Sequence, residues 1–171
     1  LRISVEISEK PEIISSATHL ILPGVGAFDN GMKNLRHKGL IDVLEQKVMH
    51  DKIPILGICL GMQLMTNCSD EGDADGLGWV DAATKRFNFD DEQKHSGLKI
   101  PHMGWNEVVC NNNHKVFRGY ADVPRFYFVH SYHVCCRNPT NAIATTSHGY
   151  DFTSCIMQEN VLGVQFHPES I

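Results

Sequence analysis

The amino-acid sequence predicts a three-layer α/β/α domain built on a mainly parallel central sheet, and three observations carry that expectation. Short apolar runs alternate with helical patterns from Leu1 to Cys68. The apolar run Ile53-Pro54-Ile55-Leu56-Gly57-Ile58 gives way abruptly to a helical pattern at Cys59, between Gly57 and Gly61. The composition is that of an ordinary globular domain, with 42% apolar and 20% charged residues in 171. A chain of this length buries roughly two-thirds of its unfolded surface as one domain.

Taken in order, Leu1-Arg2-Ile3-Ser4-Val5-Glu6-Ile7 alternates like a strand, and Lys10-Pro11-Glu12 turns into a short helix ending near Ala17. Leu20-Ile21-Leu22 is wholly apolar, as strands buried on both faces of a parallel sheet are. It leads into a flexible loop, Pro23-Gly24-Val25-Gly26-Ala27-Phe28. Helices are expected over Asp29 to His37 and Leu40 to His50, the second with Leu40, Ile41, Leu44 and Val48 on one face. Strand, helix, strand, helix in this rhythm implies right-handed βαβ units with helices on both faces of the sheet. The junction at Cys59 then opens an amphipathic stretch from Leu60 to Cys68.

The acidic run Glu71-Gly72-Asp73-Ala74-Asp75-Gly76 reads as a solvated loop, because Ala82 stands where a calcium loop needs its twelfth-position glutamate. From Ala83 to Val164 the pattern becomes more antiparallel, with strands expected over Thr84–Phe89, Asn106–Cys110, Phe126–Cys135, Ala142–Thr146, Cys155–Gln158 and Leu162–Phe166. Asn111-Asn112-Asn113-His114 and Asn138-Pro139-Thr140-Asn141 are turn clusters.

Charge and cysteine usage narrow the function classes. A net charge of −5 gives no basic footprint for nucleic acid. The longest nearly apolar stretch, Ile53 to Met65, is too short to span a bilayer, and no signal peptide precedes it. The six cysteines contain no CxxC pair, which argues for reduced thiols in a cytoplasmic protein. His133, Cys135, Cys136 and Cys110 lack the paired spacing of a zinc site, so no metal is expected.

Chemistry concentrates at two places. Gly57-Ile58-Cys59-Leu60-Gly61 has the form of a nucleophile elbow, where a sharp strand-to-helix turn leaves no room for side chains two residues either side. A helix N-terminus there favours thiolate; a buried structural cysteine in a Gly-rich turn fits the same pentapeptide. His167-Pro168-Glu169 follows the run Gly163-Val164-Gln165-Phe166. A cysteine nucleophile needs a base, and the base a carboxylate to fix its tautomer, which Glu169 is spaced to supply; taken alone, the histidine also fits a surface position. The Gly24-Val25-Gly26 loop offers a backbone N–H to an oxyanion beside that of Leu60. Pro101-His102-Met103-Gly104-Trp105-Asn106 reads either as a packed turn or as an exposed aromatic anchor at a partner surface.

Together, Pro23-Gly24-Val25-Gly26, Gly57 to Leu64, Pro101 to Asn106, Phe128-Val129-His130-Ser131-Tyr132 and Gly163 to Ser170 resemble the class-I glutamine amidotransferases, most of all the glutaminase subunit of imidazole glycerol phosphate synthase. The resemblance implies a flavodoxin-like domain over residues 1–171, cut at both ends. The family's opening strand and its Asp-Tyr-Gly-x-Gly-Asn motif have no counterpart, and neither does its closing helix, while Ser170 stands at the usual lysine position. It implies that Cys59 attacks the side-chain amide of L-glutamine, with Leu60 and a Val25 or Gly26 amide holding the oxyanion. His167 would transfer protons and Glu169 would orient it; Gly24, Gln63, His130, Ser131 and Tyr132 would bind substrate. Ammonia would pass to a (β/α)8-barrel cyclase subunit, docked over Met103, Gly104, Trp105 and Asn106, that makes imidazole glycerol phosphate and AICAR in histidine biosynthesis. In that family the loop presents its oxyanion amide only when the partner is engaged. No cofactor is implied. Alternatives are a paralogue feeding another acceptor, a non-catalytic module of the same fold, and a cysteine hydrolase of peptides or esters.

Overall fold

A computed structural model describes residues 4–95, 97–110, 114–120 and 122–170. Helix α1 (Pro11–Ser15) begins at a proline and precedes strand β1 (Leu20–Gly24). Helix α2 (Phe28–His37) buries Phe28, Met32 and Leu35. Helix α3 (Ile41–Glu45) continues into a π-helical turn, Gln46–His50. Strand β2 (Ile55–Cys59) runs into helix α4 (Leu60–Leu64), followed by β3 (Cys68–Ser69), β4 (Ala82–Arg86) and α5 (Asp91–His95). The remaining strands are β5 (His102–Glu107), β6 (Val109–Cys110), β7 (Arg125–His130), β8 (Tyr132–Cys136), β9 (Ala142–His148), β10 (Tyr150–Gln158) and β11 (Val161–Val164).

The main sheet runs β1-β2-β11-β10-β8-β4-β3, with β9 on β10 and β6 on β9, while β5 and β7 pair apart from it. The parallel pairs β1–β2 and β2–β11 form the half that carries Cys59. The antiparallel pairings fall within 82–164, where the sequence predicts the antiparallel excursion. Strand β2 is apolar on both faces because it separates two cores. Ile55 belongs to one core, with Met62, Met65 and Trp79; Leu56 and Ile58 pack against the other, with Phe128, Phe152 and Phe166.

Helix α4 lies close against this sheet because glycines floor its seat. Gly57 and Gly163 are register partners; a Cβ on Gly57 would lie 2.7 Å from the Met65 Cε, and one on Gly163 2.7 Å from the Met62 Cγ. The helix is shorter than the stretch expected to Cys68 and buried all round. Its last carbonyls are taken by an incoming loop: Leu77 N donates to Leu64 O, Val80 N to Met65 O and Gly78 N to Thr66 O.

Three further expectations are corrected. Residues 4–7 form no strand, and Val5 and Ile7 are 74% and 99% exposed; alternation alone makes no strand without a ladder partner. Residues 1–3 of that run, and Asn111, Asn112 and Asn113 of one turn cluster, lie outside the described residues. The run Phe126–Cys135 breaks at Ser131, so β7 joins β5 while β8 joins β4 and β10. The acidic loop is bound rather than merely solvated. Ala27 gives α2 no side-chain cap, and Glu71 Oε2 accepts from Phe28 N at 2.8 Å, while Asp29 accepts from Asp73 N and Ala74 N.

Histidines line the second core. Phe87 packs against His102, His130 and His133, and burial pushes His102 down to about 4 and His130 to about 3. Both fold neutral, so as pH falls below about 6.5 the unfolded chain binds protons that the native state refuses. Unfolding free energy is therefore expected to hold above about pH 6.5 and to fall towards pH 4 by about 1.4 kcal/mol per pH unit per histidine. Denaturant midpoints across that window check this, and a midpoint independent of pH would contradict neutral burial.

Candidate active site

Cys59 ends β2 and caps α4 with φ 53 and ψ −110, the left-handed region a non-glycine residue occupies only when its surroundings impose it. Those surroundings are tight. A Cβ on Gly61 would sit 1.8 Å from the Leu22 carbonyl oxygen, and one on Gly24 3.2 Å from the Leu60 Cβ. The glycines around the elbow thus have the steric role the sequence suggests. The parallel register Gly24↔Cys59 sets the Pro23-Gly24-Val25-Gly26 loop beside the cysteine. Val25 is 80% exposed and Gly26 takes φ 99, so the loop stands open to solvent next to the elbow.

The histidine arrives from the adjoining strand. Because β11 runs parallel to β2 with Val164 opposite Ile58, the residues after each strand emerge at the same end of the sheet. His167 N donates to Tyr127 O at 2.9 Å, which ties the His-Pro-Glu turn to β7. His167 Nδ1 lies 2.9 Å from Glu169 Oε1, the pairing expected from the sequence. His167 Nε2 is buried and, among the described residues, has no hydrogen-bond partner. With the Nδ1 proton donated to a carboxylate, Nε2 presents a free lone pair. Burial raises the Glu169 carboxyl, but the His167 hydrogen bond and a backbone N–H outweigh it and hold the group below its ordinary range.

The thiol differs from expectation. Burial pushes the Cys59 thiol up, against the pull of the Leu60 N–H and the Gln165 amide, so the resting sulfur is held as thiol rather than thiolate. One short helix does not offset the desolvation of a cysteine only 7% exposed. Ionisation of this sulfur near neutral pH therefore requires a base.

Gln165 is a site residue the sequence reading missed. It is fully buried, and its Nε2 lies 3.7 Å from Cys59 Sγ. The available signal was an amide inside an otherwise apolar strand run, two residues before His167. Its Oε1 accepts from Gln63 Nε2 at 3.0 Å, and Gln63 Nε2 also donates to Tyr132 O at 3.1 Å. Gln63 thus has both amide hydrogens engaged, and what it can offer a ligand is its oxygen. His130 is buried with Nδ1 2.7 Å from Tyr132 O, so the chain from His130 through Ser131 to Tyr132 is held at the β7–β8 break beside Gln63. On β5, Met103 and Trp105 are 62% and 49% exposed, with Gly104 between them at φ 128; Asn106 turns inward to Ser147 O. Trp105 is therefore an exposed aromatic and not the filling of a packed turn.

Among the described residues no group of three or more metal-ligating side chains gathers, and no helix is long and apolar enough to cross a membrane. The chain matches the family described as class-I glutamine amidotransferase over residues 2–171. It is 50% identical over 163 residues to imidazole glycerol phosphate synthase subunit HisH 2 of Methanococcus maripaludis, covering 95% of this chain and 78% of the relative. It is 43% identical over 164 residues to the HisH subunit of Leptospira interrogans, covering 96% and 79%. Among solved structures, one described as a glutamine amidotransferase superposes with a TM-score of 0.68 at 18% identity, covering 98% of this chain and 79% of that one. Another, a glutamine amidotransferase of Thermotoga maritima, gives 0.58 at 21% identity over 88% and 55%. Such identities speak for the fold alone, whereas the family match and the HisH relatives span nearly the whole chain and fix its kinship: this chain belongs to the class-I glutamine amidotransferase family.

Proposed function

We propose that the chain is the glutaminase subunit of an imidazole glycerol phosphate synthase, releasing ammonia from L-glutamine in histidine biosynthesis through Cys59, His167 and Glu169. The observation that carries the triad is the buried His167 Nε2, without a hydrogen-bond partner among the described residues, its ring paired with Glu169, at the sheet end where the strained Cys59 elbow sits. The kinship to HisH subunits supports the substrate and the pathway.

In the reaction, His167 Nε2 takes the Cys59 proton and the sulfur attacks the side-chain amide carbon of glutamine. The oxyanion accepts N–H bonds from Leu60 and from the Val25 or Gly26 amide. His167 returns its proton to the departing nitrogen, ammonia leaves, and a glutamyl thioester remains. Water, deprotonated by the same Nε2, attacks the thioester; glutamate departs and the thiol is restored. Gly24 and Gln63, together with His130, Ser131 and Tyr132, form the seat of the glutamine α-amino and α-carboxyl groups. The exposed Met103 and Trp105, with Gly104 and Asn106, favour β5 as the docking face for a (β/α)8-barrel cyclase subunit in the cytoplasm.

The test is glutamate release from glutamine by this subunit, alone and with a cyclase subunit plus its nucleotide ligand. Strong activation in the mixture is the expected result. Release unaffected by any such cyclase would overturn the assignment to histidine biosynthesis, and no release in any mixture would overturn the glutaminase reading.

A further inference from the structure

A continuous chain of hydrogen bonds, exposed at Asn106 and part-buried or buried from His102 inward, runs from β5 to the cysteine sulfur, and its polarity is fixed at the β5 end. Asn106 Oδ1 accepts from Glu107 N at 2.8 Å, so its Nδ2 faces Ser147 O at 2.9 Å and His102 Nε2 at 3.1 Å. His102 Nε2 is therefore an acceptor and its proton sits on Nδ1, 3.1 Å from His130 Nε2. His130 in turn carries its proton on Nδ1 and donates to Tyr132 O. That carbonyl also receives Gln63, whose second hydrogen goes to Gln165 Oε1, leaving Gln165 Nε2 to donate to Cys59 Sγ. Every bond points one way as far as Tyr132 O, and from Gln63 onward the donors face the sulfur.

The linking side chains His102, His130, Gln63 and Gln165 are all at most 6% exposed. Where water cannot replace a lost partner, each group's orientation is set by its neighbours, and reversing one strands a donor or acceptor on the next. At the far end Asn106 sits in the strand whose Met103 and Trp105 side chains stand in solvent.

We propose that Asn106, His102, His130, Gln63 and Gln165 form a positioning relay that couples the exposed strand β5 to the Cys59 sulfur, Gln165 holding the sulfur and the two histidines transmitting the setting of β5. The proposal rests on Cys59 being the nucleophile and β5 the partner-facing strand. Pressure on Met103 or Trp105 that shifts Asn106 then reorients the amide touching the nucleophile, and sulfur reactivity changes with it.

Iodoacetamide alkylation of Cys59, followed across pH by mass spectrometry of the Cys59 peptide in the full chain, tests the relay. Gln165→Met removes the donor to sulfur and should slow alkylation several-fold at neutral pH, moving the profile upward. His102→Leu should shift it the same way but less. His102→Asn, whose amide can replace the Nδ1 donor to His130, should restore it. In the Gln165→Met background His102→Leu should add nothing, because its influence reaches sulfur only through that amide. A His102→Leu profile identical to wild type, or a shift that adds fully to that of Gln165→Met, overturns the proposal. Should His102→Leu fail to fold by circular dichroism, Asn106→Ala takes its place with the same expectations. Alkylation needs no glutamine, so absent glutamate release with the relay pattern intact would overturn the glutaminase reading alone. Glutaminase activity with additive substitutions would overturn the relay alone.

Discussion

Cys59→Ala is expected to abolish glutamate release, by at least about 10⁴-fold in kcat with the partner present. In the proposed mechanism the substitution removes the sulfur that carries the glutamyl group. Oxyanion donors and substrate contacts survive it, but they stabilise a tetrahedral centre that no longer forms. His167→Ala should be nearly as severe at neutral pH, with a different pH dependence. Burial holds the Cys59 thiol above its ordinary value, so without the imidazole the sulfur ionises only as pH rises. The residual rate of that variant should climb steadily into the alkaline range. Initial rates of glutamate formation from neutral pH upward check both variants, and turnover persisting in Cys59→Ala would remove the cysteine from the chemistry.

Gly61→Ala should cost more than about 3 kcal/mol of stability and leave little folded protein. Helix propensity argues the other way, since alanine inside a helix gains about 1 kcal/mol over glycine. Packing decides the sign. The added Cβ would lie 1.8 Å from the Leu22 carbonyl oxygen, a backbone atom of β1 with no rotamer to yield, so β1 and α4 would have to part. Gly26 is the contrasting case: nothing lies within 4 Å of a Cβ there, and the cost of alanine comes from φ 99 alone, about 1 kcal/mol. Denaturant midpoints of the two variants check the comparison; a Gly61→Ala midpoint near wild type would show that β1 and α4 are not in contact as described.

What was legible in the sequence were the features fixed by local sterics and short spacing. The run ending at Ile58 forms β2 as its apolar residues require, and the glycines around Cys59 announce the elbow; Leu20-Ile21-Leu22 forms a strand too, but not one buried on both faces, because β1 is the sheet edge and Ile21 is 58% exposed. His167 and Glu169 meet because proline between them leaves their side chains neighbours. What was not legible depends on distant partners. Residues 4–7 alternate like a strand yet find no ladder, and Ser131 splits one apolar run between two sheets. Glu71 caps α2 from a loop 43 residues away, which no window of local sequence reveals. The expected bias of Cys59 towards thiolate failed because desolvation outweighs the N–H groups beside it, and burial is a property of the assembled fold. Gln165 was passed over for the same reason: only the parallel pairing of β2 with β11 brings its amide to the sulfur.

The most direct measurement is covalent labelling by a glutamine analogue bearing a diazoketone in place of the side-chain amide, with the adduct located by mass spectrometry. Of the six cysteines, Cys68 and Cys135 are exposed and Cys59 is buried, so indiscriminate thiol chemistry would favour the first two. A glutamine site built on the Cys59 elbow predicts a single adduct on Cys59, suppressed by excess L-glutamine. Labelling confined to Cys68 or Cys135, or no labelling with the partner present, would contradict it.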